Sequence, residues 1–488
     1  MTAGLCLAGL VSAQTDTLLE LALPDVVLTE NRIELPFSAA SRSIEVISQA
    51  QIRQAPVQSV AELLHYATGI DVRQRGVNGV QADVSIRGGT FDQTLILING
   101  IKMSDPQTGH HALNLPVDLE NIERIEILKG PGARVFGQNA FTGAINIITK
   151  TPESRFVKVG VQGGQHQLGG VRIAAALPGQ QSNHYLSLSR DFSQGYRHNT
   201  DYNISNAFYQ SNFNLDLGKL QVLGGLTERA FGANGFYASP AATEQFEAVQ
   251  TSLVSIQLER QQGAWTHQPR LYWRRNQDEY IYIRSNPSIY RNLHIGNTLG
   301  AEWNSTRRSD IGQTGIGAEL QYVRLQSNNL GTHERYVGSA FFEHRFQWLD
   351  GRLDVTPGIL FNYFSDFGTN FFPGLDLGFE LQENLKIFAN VGKTYRVPTF
   401  PDLYYQDPAN LGNPDLQPEA ALSYETGLKG NYRSLQWQTA YFRRIGEDLI
   451  DWTKAADTLQ WQPQNFGRVQ MQGAEAGLTL FFPALISA

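Results

Sequence analysis

Apolar and polar residues alternate over most of this chain. Asn212, Asn214 and Asp216 interleave with Phe213, Leu215 and Leu217, and Ser255 and Gln257 interleave with Val254, Ile256 and Leu258. A period of two predicts strands whose two faces meet different surroundings. Turn signals set the register. A two-residue turn at Asp350-Gly351 pairs Leu349 with Arg352, Trp348 with Leu353, Phe346 with Val355, His344 with Pro357 and Phe342 with Ile359. The apolar members then share one face, while Glu343, Arg345, Gln347, Asp354 and Thr356 share the other. A three-residue turn at Gln382-Glu383-Asn384 pairs Leu381 with Leu385, Phe379 with Ile387, Leu377 with Ala389 and Leu375 with Val391. A slip of one residue would break either pattern. A soluble sandwich gives the same alternation, but with more charge on its polar face. The pattern runs over roughly 330 residues after Thr151-Pro152. It predicts a large antiparallel transmembrane β-barrel, apolar toward lipid and polar in the lumen.

The first 150 or so residues read differently. Ser59-Val-Ala-Glu62 is a capping box, Val60, Leu63, Leu64 and Ala67 follow at helical spacing, and Gly69 is a stop. Asn99-Gly100 after Leu95-Ile-Leu-Ile98 is a hairpin turn. These elements predict a small α/β unit ahead of the barrel, so the expected fold class is β with a small α/β N-terminal domain.

Composition agrees. Charged residues make up 17% of the chain, against roughly 25% in soluble proteins. The 46 Gly, 19 Tyr and 7 Trp suit turns and interfacial rings. No apolar run is long enough for a membrane helix, which a barrel does not need. The net charge of −7 argues against a nucleic-acid partner. Residues 1–13 form a short apolar stretch ending in Val11-Ser-Ala13, expected to be a signal peptide although its basic start is missing. Leu5 before Cys6 argues against a lipoprotein. Cys6 is the only cysteine, so the mature chain is expected to have no disulfide and no thiolate metal ligand.

Six motifs follow one another between residues 84 and 150. They are Val84-Ser-Ile-Arg87-Gly88, Thr94-Leu-Ile-Leu-Ile-Asn99-Gly100, Ile122-Glu-Arg-Ile-Glu-Ile, Leu128-Lys129-Gly130-Pro131, Val135-Phe136-Gly137 and Ala144-Ile-Asn-Ile-Ile-Thr149. Each is weak alone. In this order they resemble the plug domain of TonB-dependent outer-membrane receptors of the vitamin B12 and siderophore type. Further on, Arg396-Val-Pro398-Thr-Phe400 and Gly412-Asn-Pro414-Asp-Leu-Gln-Pro-Glu419 resemble that family's barrel signature.

The resemblance implies a plug (31–152) seated inside a barrel (153–488), preceded by a segment (14–30) carrying the TonB box. The box would be Asp25, Val26, Val27, Leu28 and Thr29, which the periplasmic protein TonB grips by strand addition. The alternative is that these residues form the first strand of the plug. The resemblance further implies active import of a scarce nutrient, vitamin B12 or a ferric siderophore, through the outer membrane of a Gram-negative bacterium. The expected partners are TonB with its inner-membrane energising complex, outer-membrane lipid and a small nutrient ligand. No cofactor and no catalysis are expected. An oligosaccharide or haem receptor of the same family is the alternative. Residues 399–412 hold no histidine, which counts against haem. A passive porin would need neither plug nor TonB box.

Ligand contact is expected from three apical plug loops: Arg75, Asn78 and Gln81; Phe91, Asp92 and Gln93; and Gln107, Thr108, His110 and His111. Family arginines pair with glutamates of late barrel strands, and the matching positions here are Arg87, Lys129, Glu425 and Glu475. Intact receptors close about 22 strands. Only about 70 residues follow Glu419, so the last strands are expected to be missing.

Rival chemistries find little support. Gly132-Ala-Arg-Val-Phe-Gly137-Gln138 has a phosphate loop's glycine spacing without its Lys-Ser/Thr. No G-x-S-x-G is present. Glu123 and Glu126 flank Arg124 on a strand pattern, which suits ion pairing better than acid–base work. His110-His111, read as a strand, would point to opposite sides, so no metal site is expected.

Overall fold

A computed structural model describes residues 40–237, 239–432, 434–456 and 460–480, plus the backbone of 27–28 and 35–36. The expected signal peptide, and Asp25, Val26 and Thr29, lie outside the described residues.

The N-terminal unit is a five-stranded sheet in the order Ile44–Ser48, Ile122–Lys129, Gly143–Thr149, Thr94–Ile98, Ile101–Lys102. A separate hairpin joins Ile70–Arg75 to Gln81–Ile86. The Asn99-Gly100 turn places both residues at positive φ, 48° and 79°, and pairs Ile98 with Ile101. The helix Val60–Leu64 is capped by Ser59, which accepts from Glu62 N–H at 3.2 Å. The reciprocal bond of the expected capping box is displaced by one residue: the Glu62 carboxylate accepts from Gln58 N–H at 2.7 Å.

Sixteen antiparallel strands, from Phe156–Gly163 to Gln462–Leu480, pair in sequence order. Their turns differ between the two ends. At one end lie 216–217, 263–264, 310–311 and 383–384, and at the other the longer 233–245, 282–290 and 397–418 together with the three-residue turns 328–330 and 365–367. Short turns on one side and long loops on the other are the pattern of outer-membrane barrels. Among the described residues no helix is long and apolar enough to cross a membrane.

The Asp350-Gly351 hairpin has the expected register, with Trp348–Leu353, Phe346–Val355 and Phe342–Ile359 paired. The ladder is interrupted beside Pro357, which has no N–H to give. The second hairpin departs from expectation next to its turn. Leu375–Val391, Leu377–Ala389 and Phe379–Ile387 pair as expected, but Leu385 pairs with Gln382 instead of Leu381. Asn384 at φ 66° completes a two-residue turn, and the surplus residue is absorbed as a bulge. On the outer face Phe342, Ile359, Leu377, Ile387 and Leu478 are exposed, while Glu343, Arg345, Asp354 and Asp376 are buried inside.

The small sheet sits within the curve of the large one, and the two sides of its seat differ. Against the earlier strands the contact is apolar: Ala174, Ala176, Tyr185, Phe208, Leu223 and Leu253 join one cluster with Ile47, Leu64, Ile98 and Ile125. Against the later strands a smaller apolar contact, Ala133 with Phe341, Leu360 and Phe372, is joined by several ion pairs. Arg42 meets Asp376 at 2.6 Å, and Arg134 meets Asp376 at 2.6 Å and Glu343 at 3.2 Å. Lys102 meets Glu319 at 2.5 Å. On the earlier side ion pairs also occur, Arg274 with Asp105 at 3.0 Å and Lys158 with Glu120 at 2.6 Å.

Candidate functional site

Three places in the fold carry the chemistry the sequence singled out. The first is the apical surface of the small domain. Asp83 ties its loops together: Gln81 Nε2 donates to it at 3.0 Å, Arg75 lies 3.8 Å away, and His110 Nδ1 is 2.6 Å away. The His110 ring stacks on Phe91 with centroids 4.1 Å apart, and Gly109 N–H donates to Asp92 at 2.8 Å. Arg75 reaches the Phe236 carbonyl and lies over the Tyr237 ring. Burial pushes the Asp92 carboxyl up to about 6, with Asp402 adding to the shift and Arg396 and His110 opposing it.

The ten apical residues do not form one open ligand surface. Arg75, Phe91, Asp92, Thr108 and His110 keep partial exposure. Asn78, Gln81, Gln93, Gln107 and His111 are buried. Gln93 donates to Glu419 at 3.0 Å and Gln107 to Asp278 at 2.7 Å, so these side chains seal the domain to the wall. Of these five, Gln93, Gln107 and His111 face side chains of the wall, while Gln81 bonds Asp83 within the small domain. His110 and His111 also depart from the expected strand. They lie in a 3-10 turn, Gly109–His111, which leaves His110 half-exposed and turns His111 inward.

The second place is the cluster of Arg87, Lys129, Glu425 and Glu475. Arg87 forks onto Glu475, with Nε to Oε1 at 3.0 Å and Nη2 to Oε2 at 2.9 Å, and its Nη1 meets Glu425. The guanidinium lies 4.4 Å from the Phe442 ring centroid. Glu425 also accepts from Ser43 N–H and Asn390 Nδ2, both at 3.0 Å. Lys129 sits 3.9 Å from Glu475 but makes its shorter bond, 2.8 Å, to Glu45. A lysine offers a single point of charge and cannot repeat the arginine fork. Arg87 has φ 49°, a conformation costly for a side-chain-bearing residue. A cavity of about 1000 Å³ borders this cluster at the short-turn end and touches Glu45, Lys129 and Glu475.

The third place was not anticipated. Arg396 forks onto Glu419, at 2.8 and 3.0 Å, and so joins the two barrel motifs. Glu419 also accepts from Ile450 N–H at 2.8 Å. Above the apex, loop and strand-end tyrosines pack together. Tyr237 meets Tyr280 edge-on at 5.6 Å, and the Tyr290 and Tyr405 hydroxyls are 2.9 Å apart. The cue for these rings was the run Tyr280-Ile-Tyr282 ahead of Asn286-Pro287 and Tyr290.

Val27–Leu28 pairs with Leu35–Pro36 as a two-stranded sheet of its own, apart from the five-stranded sheet. Gly132 and Gly137 bracket a short helix, Ala133–Phe136, whose Arg134 enters the ion pairs to the wall. The Arg124 side chain bonds Glu126 at 2.7 Å.

Comparisons with known proteins bear on this geometry. The family profile described as TonB dependent receptor-like, beta-barrel, matches residues 159–486, and that of the TonB-dependent Receptor Plug Domain matches residues 37–144. The chain belongs to the TonB-dependent receptors. Among curated members of the family, the vitamin B12 transporter BtuB of Photobacterium profundum is 26% identical over 473 residues, covering 92% of this chain and 75% of that protein. The siderophore receptor PirA from Acinetobacter baumannii shares the fold with a TM-score of 0.72 at 16% identity, covering 91% of this chain and 78% of its own. The hemophore receptor HasR of Serratia marcescens, solved with its hemophore and heme, gives 0.75 at 18% identity, covering 90% and 79%. These relatives are transporters and receptors, not enzymes. The small domain is accordingly the plug, and the large sheet is the barrel.

Proposed function

We propose that this receptor imports vitamin B12 or a ferric siderophore across the outer membrane of a Gram-negative bacterium, energised by TonB. The observation that carries the reading is the seated plug. It is held mainly by apolar packing on one side and mainly by ion pairs on the other, so passage requires the plug to be worked loose. That favours an energised importer over a passive porin. The similarity to vitamin B12 transporters over 92% of the chain supports the ligand class. Arg75, His110 and the tyrosines above the apex would meet the ligand from plug and loops. Strand addition of TonB along Asp25–Thr29 would pull on the plug from the opposite end. Glu425 and Glu475, with Arg87 and Lys129, would act as the latch.

The test is uptake by a host lacking its own receptors and carrying the complete gene. Labelled cyanocobalamin, ferric siderophores, haem and oligosaccharides are supplied with and without functional TonB. TonB-dependent uptake of cyanocobalamin or a ferric siderophore is expected. Uptake of haem or oligosaccharide alone would transfer the reading to that class, and TonB-independent passage would overturn it.

A further inference from the structure

Where the third apical loop meets the wall, one imidazole and two carboxylates converge. His111 Nε2 lies 3.6 Å from Asp278 Oδ2 and 3.7 Å from Glu247 Oε1. The three donor atoms all fall within 4.8 Å of one another, and all three side chains are buried. Among the described residues, no lysine or arginine nitrogen comes within 4.0 Å of either carboxylate. Their other bonds are to neutral groups: the Tyr237 hydroxyl donates to Glu247, and Gln107 Nε2 donates to Asp278 Oδ2 at 2.7 Å. Asp278 Oδ1 is buried without a partner. His294 faces Asp278 across the neighbouring strand, is itself buried, and has an unpartnered Nδ1.

Two buried carboxylates without a cation are expensive to maintain. A lone imidazolium would neutralise only one of them. A divalent cation would neutralise both, and the spacing suits one. Donors about 2.0–2.2 Å from a tetrahedral zinc lie about 3.3–3.6 Å from each other, close to the observed His111 separations. An imidazole among the donors favours zinc-type transition ions over calcium or magnesium, which prefer all-oxygen shells. The orienting partner is also present. The Asn114 carboxamide lies 3.0 Å from His111 Nδ1. With its oxygen turned to that nitrogen it would accept from Nδ1–H and leave the Nε2 lone pair free for a metal.

We propose that His111, Glu247 and Asp278, with His294 as the adjacent donor, form a divalent transition-metal site that fastens the apical loop of the plug to the barrel wall. The site stands on these side chains alone and does not depend on which nutrient is imported. The test uses the purified, chelator-stripped receptor in detergent, titrated with Zn²⁺ by calorimetry and with Co²⁺ by visible absorption. One equivalent of Zn²⁺ is expected, together with the ligand-field bands of a mixed nitrogen–oxygen Co²⁺ site. Hydrogen exchange of residues 107–114 should slow when Zn²⁺ is added. His111→Ala and the isosteric Glu247→Gln should each weaken binding about 100-fold or more. His198→Ala, at the exposed His198–Glu244 pair in the outer loops, should leave it unchanged. Should His111→Ala fail to fold, Glu247→Gln decides. Absence of stoichiometric uptake, binding unaffected by Glu247→Gln, or loss of binding only in His198→Ala would each overturn the site.

Discussion

Removing both wall carboxylates of the Arg87 cluster should release the plug and spare the barrel. In the native cluster Arg87 and Lys129 bring two positive charges, and Glu425, Glu475 and Glu45 bring three negative ones. In Glu425→Gln/Glu475→Gln, Lys129 keeps Glu45 at 2.8 Å, but Arg87, whose side chain is 2% exposed, loses every carboxylate. Leaving one buried partner of such a pair alone costs about 3–5 kcal/mol. The two single variants should differ. Glu425, at 1% exposure, also receives Ser43 N–H, whereas Glu475, at 13%, borders the cavity, where water can take its place. Glu425→Gln should therefore cost more than Glu475→Gln. Adding Arg87→Met to the double variant should recover most of the loss, because a whole ion pair exchanged for neutral groups is close to neutral. Native-state hydrogen exchange across Gln81–Ile86 reports plug opening, and heat-dependent gel mobility reports barrel integrity. A plug-opening free energy in the double variant within about 0.5 kcal/mol of wild type would refute the reasoning. So would a single transition in which plug and barrel are lost together.

Three further outcomes are expected. Phe342→Arg, near the middle of the strand Gly331–Trp348 and 50% exposed on its outer face, should destabilise the barrel in lipid by about 2–4 kcal/mol. Phe346→Arg, nearer the short turn, should cost less, and equal costs in folding titrations would mean the outer face is misassigned. The Asp92 carboxyl, at about 6 in the folded state, holds a proton there that the unfolded chain releases near 4. Opening of its loop should thus become easier as pH rises from about 4 to 6 and level off above. Exchange at Gly109, corrected for intrinsic rates, should show this slope in wild type and lose it in Asp92→Asn. Finally, Val27→Pro removes an N–H from the strand TonB would extend. Surface binding of ligand should persist while uptake stops, and normal uptake would dismiss that segment as the TonB box.

Local pattern carried the barrel further than it carried the site. Register could be read at Asp350-Gly351 because, apart from His344, one apolar phase runs from Phe342 to Ile359 through a turn with a clear signal. The bulge at Leu381 was not legible, since Glu383-Asn384 and Gln382-Glu383-Asn384 are both acceptable turns and only the ladder chooses between them. Burial of Gln93 and Gln107 was hidden for another reason. The surfaces that cover them, such as Glu419 and Asp278, come from strands far along the chain. His111 shows this most sharply: a doublet read as a strand gives no convergence, and its partners Glu247 and Asp278 look like ordinary lumen-facing acids until the wall curves around the plug. Arg87, Lys129, Glu425 and Glu475 were nameable because family motifs mark them, but the inclusion of Glu45 and Ser43 was not.

The unequal seating of the plug has a mechanical consequence. Apolar contact fades gradually as surfaces separate, and it opposes sliding only weakly so long as area stays covered. An ion pair out of water behaves otherwise. Admit water after an ångström or two of displacement and the effective dielectric rises toward that of bulk, so the same pair keeps only a small part of its attraction. The two sides of this plug therefore resemble a hinge and a catch. Under tension, the side facing Asp376, Glu425 and Glu475 would let go abruptly and early, while the side packed on Ala176, Phe208 and Leu253 would still hold. The plug would then swing about its greasy edge and open a passage along one flank, without leaving the barrel. Paired spin labels on the two flanks would show it: distances should lengthen on the ionic side alone, and equal lengthening on both would mean a plug that is drawn straight out.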